Sequence, residues 1–271
     1  MHRRNFLKLV ACAAPVAVLG YGLAEAGDVH IERVDAPVPN LPKAFDGLRV
    51  AFLTDIHHGP YVPLTQVTAF VRTALALQPD LILLGGDYCS RNDSYIAPCL
   101  DVLASLKAPL GVFGVLGNHD YWHGVRATRT GMAKARIEEL TNRGVWLKRG
   151  NDRLRLAGVD DLWCGRVDVA EALGDTKPTD ACVLLSHNPD VAETLTDRRV
   201  GLMLSGHTHG GQLSYRGIAN PFVPSAYGDK YARGFADALA TRVYTSRGLG
   251  VTGLPVRYNC PPELSVITLR C

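Results

Sequence analysis

The sequence predicts an α/β protein built from two mixed β-sheets packed face to face, with helices on the outer faces. Three observations carry this. Apolar runs alternate with helically spaced segments from Leu48 onward, each run turns polar at its C-terminal end, and the second half holds more strands than helices.

The elements follow in order. "LRVAFLTDIH" (48–57) is continuously apolar before it turns polar, which predicts a buried strand. After Pro63, Val67, Phe70, Val71, Ala74 and Leu75 recur at helical spacing. "LILLGGD" (81–87) predicts a second strand, followed by a helix over 96–106, and "GVFGVLGNHD" (111–120) a third strand. A helix is predicted over 132–142, with Gly144 as its stop signal. Strands then follow at 153–161, 181–187, 201–207, 241–248 and 263–270, with a helix over 190–195. Residues 214–240 show little regular pattern but carry Tyr215, Phe222, Tyr227, Tyr231 and Phe235. They predict either an aromatic rim beside the site or a packed surface loop.

The chain has 271 residues, 47% hydrophobic and 20% charged, with no linker or repeat. That predicts one domain, 27–271, behind a leader, 1–26. The leader begins with Arg3, Arg4 and Lys8, continues through an apolar run, and ends with small residues at Ala24 and Ala26. This is the pattern of a cleaved signal peptide, and Arg-Arg-Asn-Phe-Leu-Lys resembles the twin-arginine export signal. The expected partner is the twin-arginine machinery and the expected location the periplasm or cell envelope. An uncleaved leader acting as a membrane anchor, with lipid contact, is the alternative, although the apolar run is short for a span.

Without the leader's Arg3, Arg4, Lys8 and Glu25 the chain keeps 26 basic and 25 acidic side chains. Near-neutrality gives no electrostatic footprint for nucleic acid. Six cysteines follow the leader, none at metal-finger spacing. Mostly buried free thiols are expected, with Cys89–Cys99 the pair to examine for a disulfide.

The predicted strand ends share a chemical type. They are Asp55 and His57 in "TDIH", Asp87 in "GGD", Asn118, His119 and Asp120 in "GNHD", His187 in "SH", and His207 and His209 in "GHTHGGQ". Singly, such residues are commonly caps, turns or satisfied core imidazoles. Five strands ending this way point instead to a shared crevice, because loops at the carboxyl ends of parallel strands converge. The oxygen and nitrogen donors Asp55, His57, Asp87, Asn118, His187, His207 and His209 suit manganese, iron or zinc without thiolate. They are too many for one ion with an open position, and predict two divalent ions about 3.5–4 Å apart that share Asp87. Such a pair acidifies a bridging water and clamps the oxygens of a phosphate. Glycines around the His-x-His let the backbone approach without a Cβ clash.

The ordered blocks D-x-H, G-D, G-N-H-D, H and G-H-x-H resemble those of the calcineurin-like metallophosphoesterases, across nearly all of 48–270. The resemblance implies a four-layer α/β/β/α sandwich with a dinuclear centre that hydrolyses phosphate esters. It implies that Asp55, His57, Asp87 and His209 hold one metal, and Asp87, Asn118, His187 and His207 the other. It further implies that His119 faces the substrate, with Asp120 orienting its imidazole. The leader and the ending "GLGVTGLPVRYNCPPELSVITL" resemble an exported or membrane-associated phosphodiesterase branch, some of whose relatives cleave UDP-2,3-diacylglucosamine. Ser90 stands where purple acid phosphatases carry a tyrosine ligand, and Tyr88 should point away from the site. A scaffold that has lost its chemistry is the competing reading, and the complete donor set argues against it. His58, Trp122 and His123 flank the motifs, where lining the pocket and plain surface exposure are both open. Trp146, Trp163, His2 and His30 receive no role.

Overall fold

The computed structural model describes residues 18–214 and 222–271. Residues 1–17, with the leader's basic start, His2 and much of its apolar run, lie outside the described residues, as does Tyr215 of the aromatic segment. Helix α1 covers 18–27, and the first sheet begins directly after it with β1 (His30–Pro37). Its other strands are β2 (Arg49–Leu53), β3 (Leu81–Leu84), β4 (Val112–Gly114), β5 (Glu138–Glu139) and β12 (Glu263–Arg270), in the order β1-β12-β2-β3-β4-β5. The second sheet has the order β10-β11-β9-β8-β7-β6. Its strands are β6 (Arg143–Arg149), β7 (Asp152–Gly158), β8 (Cys182–Leu185), β9 (Leu202–Ser205), β10 (Gly234–Asp237) and β11 (Arg242–Thr245). Both sheets are mixed: β2, β3 and β4 run parallel, as do β7, β8, β9 and β11, with antiparallel neighbours at β12, β6 and β10.

The pleat sorts apolar side chains into layers. Val50 and Phe52 of β2 and Leu81 and Leu83 of β3 face Val183 and Leu185 of β8 and Leu202 and Leu204 of β9, filling the space between the sheets. Ala51, Leu53, Ile82 and Leu84 point the other way, onto helices α2 (Leu64–Ala76), α3 (Ile96–Leu103) and α4 (Asn118–Lys134). On the far side, Cys182, Leu184 and Met203 pack beneath α5 (Val169–Leu173) and α6 (Val191–Thr194). Three buried seams between four layers give the expected α/β/β/α sandwich.

The third strand is shorter than expected: it stops at Gly114, and α4 begins at Asn118 and ends at Lys134 rather than occupying 132–142. Arg136 takes φ +58° just past the helix end, and β5 and then β6 follow. Helix α4 escapes sequence reading because it is polar on most sides, burying only Asn118, Asp120, Thr128 and Met132. Strand β1 escapes because only Ala36 is buried. Cys89, Cys99, Cys182 and Cys260 are buried free thiols, as expected, with Cys164 half-buried and Cys271 exposed.

Helix α1 packs on the domain. The Arg257 N–H donates to Gly22 O at 3.0 Å, and the Glu25 carboxylate accepts from the N–H groups of Asn259 and Cys260 at 3.0 and 2.9 Å. Among the described residues no helix is long and apolar enough to cross a membrane.

Candidate metal centre

Strands β2, β3, β8 and β9 end on the same crest, and the chain bends sharply as each leaves its sheet. Asp55, His57, Asp87, His207 and His209 have φ of +53°, +50°, +56°, +70° and +52°. The left-handed region costs about 1–2 kcal/mol for a residue with a Cβ, so five such residues on one crest mark a backbone held for function. Two glycines permit the close approach. A Cβ on Gly117 would lie 2.2 Å from Asp87 Oδ1, and one on Gly206 would lie 2.2 Å from Asp55 Oδ2.

The crest brings together all seven expected donors, in two sets. In one, His57 Nε2 lies 3.0 Å from His209 Nε2 and 3.5 Å from Asp87 Oδ2, and His209 Nε2 is 3.4 Å from Asp55 Oδ1. In the other, His187 Nε2 lies 3.2 Å from Asn118 Oδ1, 3.2 Å from His207 Nδ1 and 3.3 Å from Asp87 Oδ2. Asp87 Oδ2 belongs to both. Lone pairs that face one another at these distances repel unless a proton or a cation sits among them, so each set could hold a metal ion. The triads Asp55–His57–His209, Asp55–Asp87–His187 and His57–Asp87–His119 are each close enough to share an ion.

Neighbouring groups set which ring nitrogens face inward. The Gly85 carbonyl lies 2.7 Å from His187 Nδ1 and can only accept, so Nδ1 carries a proton and Nε2 is the nitrogen turned to the donor set. Ser90 Oγ lies 2.7 Å from His57 Nδ1, so the residue at the missing-tyrosine position orients a histidine instead. Tyr88 points away as expected, its hydroxyl donating to Val115 O at 3.1 Å. The Asp55 carboxylate accepts from the His207 N–H at 3.0 and 3.1 Å, tying the two sheets together.

Asp120 does not orient His119. Its buried carboxylate accepts from the N–H groups of Asp87, Tyr88 and Gly117 at 2.8, 3.0 and 2.8 Å, so it fixes the turn that carries Asp87. One helical turn further along α4, His123 takes the orienting role, with Nε2 3.3 Å from His119 Nδ1. The Arg91 N–H donates to that same Nε2 at 3.1 Å, so His119 Nδ1 must be the donor to it. His119 Nε2 is thereby free to work on a substrate proton. The His119 ring stands edge-on to His57, with centroids 4.6 Å apart.

Burial dominates the electrostatics. It pushes Asp55 up to about 6 and, with the charge of Asp87, pushes Asp120 up to about 7 against three backbone donors. It drives His57 and His207 down to about 3 and His209 well below the ordinary imidazole value. Burial also opposes ionisation of Asp87 and His187. Their mutual attraction overrides it, holding Asp87 well below the carboxylate range and raising His187 to about 10. Without metal, one imidazolium thus sits among the acids, and the other inner imidazoles are neutral Lewis bases.

Around the crest, His119, Arg91, Tyr61 and Trp122 line a cavity of about 310 Å³. A more apolar cavity of about 350 Å³ opens beside His209, lined by Leu213, Phe222 and Leu254. The aromatic segment therefore divides: Phe222 lines a cavity, whereas Tyr231 is buried and Phe235 packs on Tyr244. Sequence reasoning missed Arg257. Its guanidinium is fully buried, donates to the carbonyls of Arg247, Gly248, Gly250 and Cys260, and brings Nη2 to 3.3 Å from His209 Nδ1. A lone arginine in the Pro- and Gly-rich ending was the available signal.

Two mixed sheets meeting over a crest of carboxylates and imidazoles define the metallophosphoesterase class. The family model for calcineurin-like phosphoesterases matches residues 48–211, and the chain belongs to that family. It is 33% identical to the uncharacterized metallophosphoesterase YkuE of Bacillus subtilis, a match covering 100% of this chain and 98% of that protein. It is 34% identical to the phosphodiesterase YaeI of Escherichia coli over 82% of each chain. It is also 31% identical, over 89% of this chain and 57% of the other, to a Bos taurus transmembrane protein with a metallophosphoesterase domain.

Proposed function

We propose that the protein is a metal-dependent phosphodiesterase of the cell envelope. The observation that carries this reading is the pair of donor sets joined at Asp87 Oδ2, each closing over a space that could accept a cation. Asp55, His57, Asp87 and His209 would hold one ion, and Asp87, Asn118, His187 and His207 the other. Two divalent ions there, manganese, iron or zinc, would supply Lewis acidity to the phosphate oxygens and to an attacking water. The chain's own residues do the rest. Asp120 and Asp55 hold the turns, and His123 fixes the His119 tautomer. Water adds to phosphorus as the bond to the leaving oxygen breaks. His119 acts as the imidazolium, keeping Nδ1–H on His123 while its Nε2 proton goes to the leaving oxygen, and the proton lost by the water restores it. The diester preference follows the similarity to YaeI.

The test is an assay panel with added Mn²⁺ on an aryl diester, an aryl monoester and a nucleotide-sugar lipid, with metal content measured alongside. Diester turnover with about two ions per chain is expected. Turnover that survives exhaustive chelation would overturn the reading.

The leader is proposed to direct twin-arginine export. A second reading, that residues 18–26 remain in the mature protein as part of an anchor, is favoured by the hydrogen bonds between α1 and 257–260. The mass of the exported protein's N-terminal peptide decides between them.

A further inference from the structure

We propose that Trp122 and Trp163 form a platform for a planar aromatic ring on the leaving group of the substrate, a specificity element that rests on the phosphodiesterase reading above. Both indoles are large and apolar, yet 55% and 51% exposed. Each overhangs a different side of the crest. The Trp122 ring lies 4.8 Å from His119, and the Trp163 ring meets His207 edge-on at 4.4 Å. The two indoles face each other with centroids 6.4 Å apart and planes 27° from parallel. Trp122 thus lines the cavity at the crest together with His119, and Trp163 stands beside His207 of the second donor set.

The exposure is built rather than incidental. Trp163 sits on a turn whose backbone is closed by buried carboxyl groups. Asp161 Oδ1 accepts from the N–H groups of Trp163 and Cys164 at 3.0 and 2.8 Å, and Asp160 accepts from those of Asp161 and Arg166. The Tyr121 hydroxyl, on the residue before Trp122, donates to Asp160 and locks the two tryptophan segments together. The Trp122 indole is also hydrogen-bonded to the Cys164 side chain, next to Trp163. Gly165 makes the turn possible, because a Cβ there would lie 2.2 Å from the Asp160 carboxyl carbon.

Position assigns the ring to the leaving group. His119 lies between the donor sets and Trp122, and it is the group that protonates the departing oxygen, so whatever that oxygen carries lies against Trp122. Near-parallel flat faces suit a flat partner, and stacking on such faces tolerates many ring types. The chemistry recognised is a planar aromatic ring, supplied by an aryl alcohol or a nucleoside.

The Mn²⁺-loaded enzyme and its Trp122→Ala, Trp163→Ala and Trp163→Phe variants are compared on methyl 4-nitrophenyl phosphate, a methyl nucleoside phosphodiester and methyl trifluoroethyl phosphate. On the ring-bearing diesters each alanine variant should lose about 5- to 150-fold in kcat/KM, mainly through KM, the worth of one stacked ring. The alkyl diester should change less than about 3-fold by the same measure, and Trp163→Phe should recover most of the loss. A loss on only one ring class identifies whether aryl or nucleoside rings are taken. Equal losses on alkyl and ring diesters, or none on either, would overturn the proposal. Calorimetric titration with phenylphosphonate against methylphosphonate separates this failure from that of the parent reading. If no diester is hydrolysed but phenylphosphonate binds more tightly and loses that advantage in the alanine variants, the phosphodiesterase reading falls and the platform stands. If diesters are hydrolysed and the two phosphonates bind alike, the platform alone falls.

Discussion

Asp55, Asp87 and Asn118 hang from the first sheet, whereas His187, His207 and His209 face them from the second. The first wall brings the negative charge and the amide oxygen, with His57 and His119 beside them. The second brings only imidazoles, two of which burial keeps neutral. The difference teaches that neither sheet holds a site alone: cations would bind across the seam and so tie the sheets together. An imidazolium crosses the divide at His187, paired with Asp87 at 3.3 Å.

The largest break in this comparison should come from Asp87→Ala, which removes the atom both walls share. Diester turnover should fall to background, and the rise in Tm on adding Mn²⁺, about 2.7 kcal/mol of stabilisation at a hundredfold excess over Kd in the wild type, should vanish. Calorimetry and a metal count check both. His119→Ala spares both walls. It should keep its metal and lose about 10²–10⁴ in kcat on a diester with a poor leaving group, far less on a good one. Wild-type turnover on the poor leaving group would remove the proton-donor role.

His123→Ala should act through His119, costing about tenfold in kcat with metal content unchanged. His123→Gln, which can still accept from His119 Nδ1, should recover part of that loss. The smallest effect concerns stability without metal. His187 is raised from the ordinary imidazole range to about 10, so its contribution is complete below about pH 6.5 and lost as pH rises through about 10. In chelator, the Tm should therefore fall across that window by several degrees. Asp87→Asn, which removes the main partner, should flatten the slope.

The sequence already shows the first wall clearly, because "TDIH", "GGD" and "GNHD" each close an apolar run whose strand character is unambiguous. The second wall was equally readable, since "SH" and "GHTH" follow the same rule. What escaped was the support. Extending the third strand to residue 120 hid the fact that Asn118 starts a helix. Only on a helix do His119 and His123, four residues apart, share a face. The resemblance gave that role to Asp120, whose three backbone partners lie on the turn after β3 and at Gly117. Ser90 and Arg257 escaped for another reason. Each acts at long range, 33 and 48 positions from the histidine it touches, where no local spacing carries a signal.

The left-handed corners at Asp55, His57, Asp87, His207 and His209 set terms for anyone redesigning this enzyme. Asparagine tolerates such a corner better than alanine, so Asp→Asn exchanges remove charge there while sparing the backbone. Libraries aimed at new esters belong on the loop tips, because random change at the corners would confuse altered chemistry with a collapsed turn. By the same logic, glycine at one corner in the apoprotein should make a sturdier but idle variant, trading turnover for resilience.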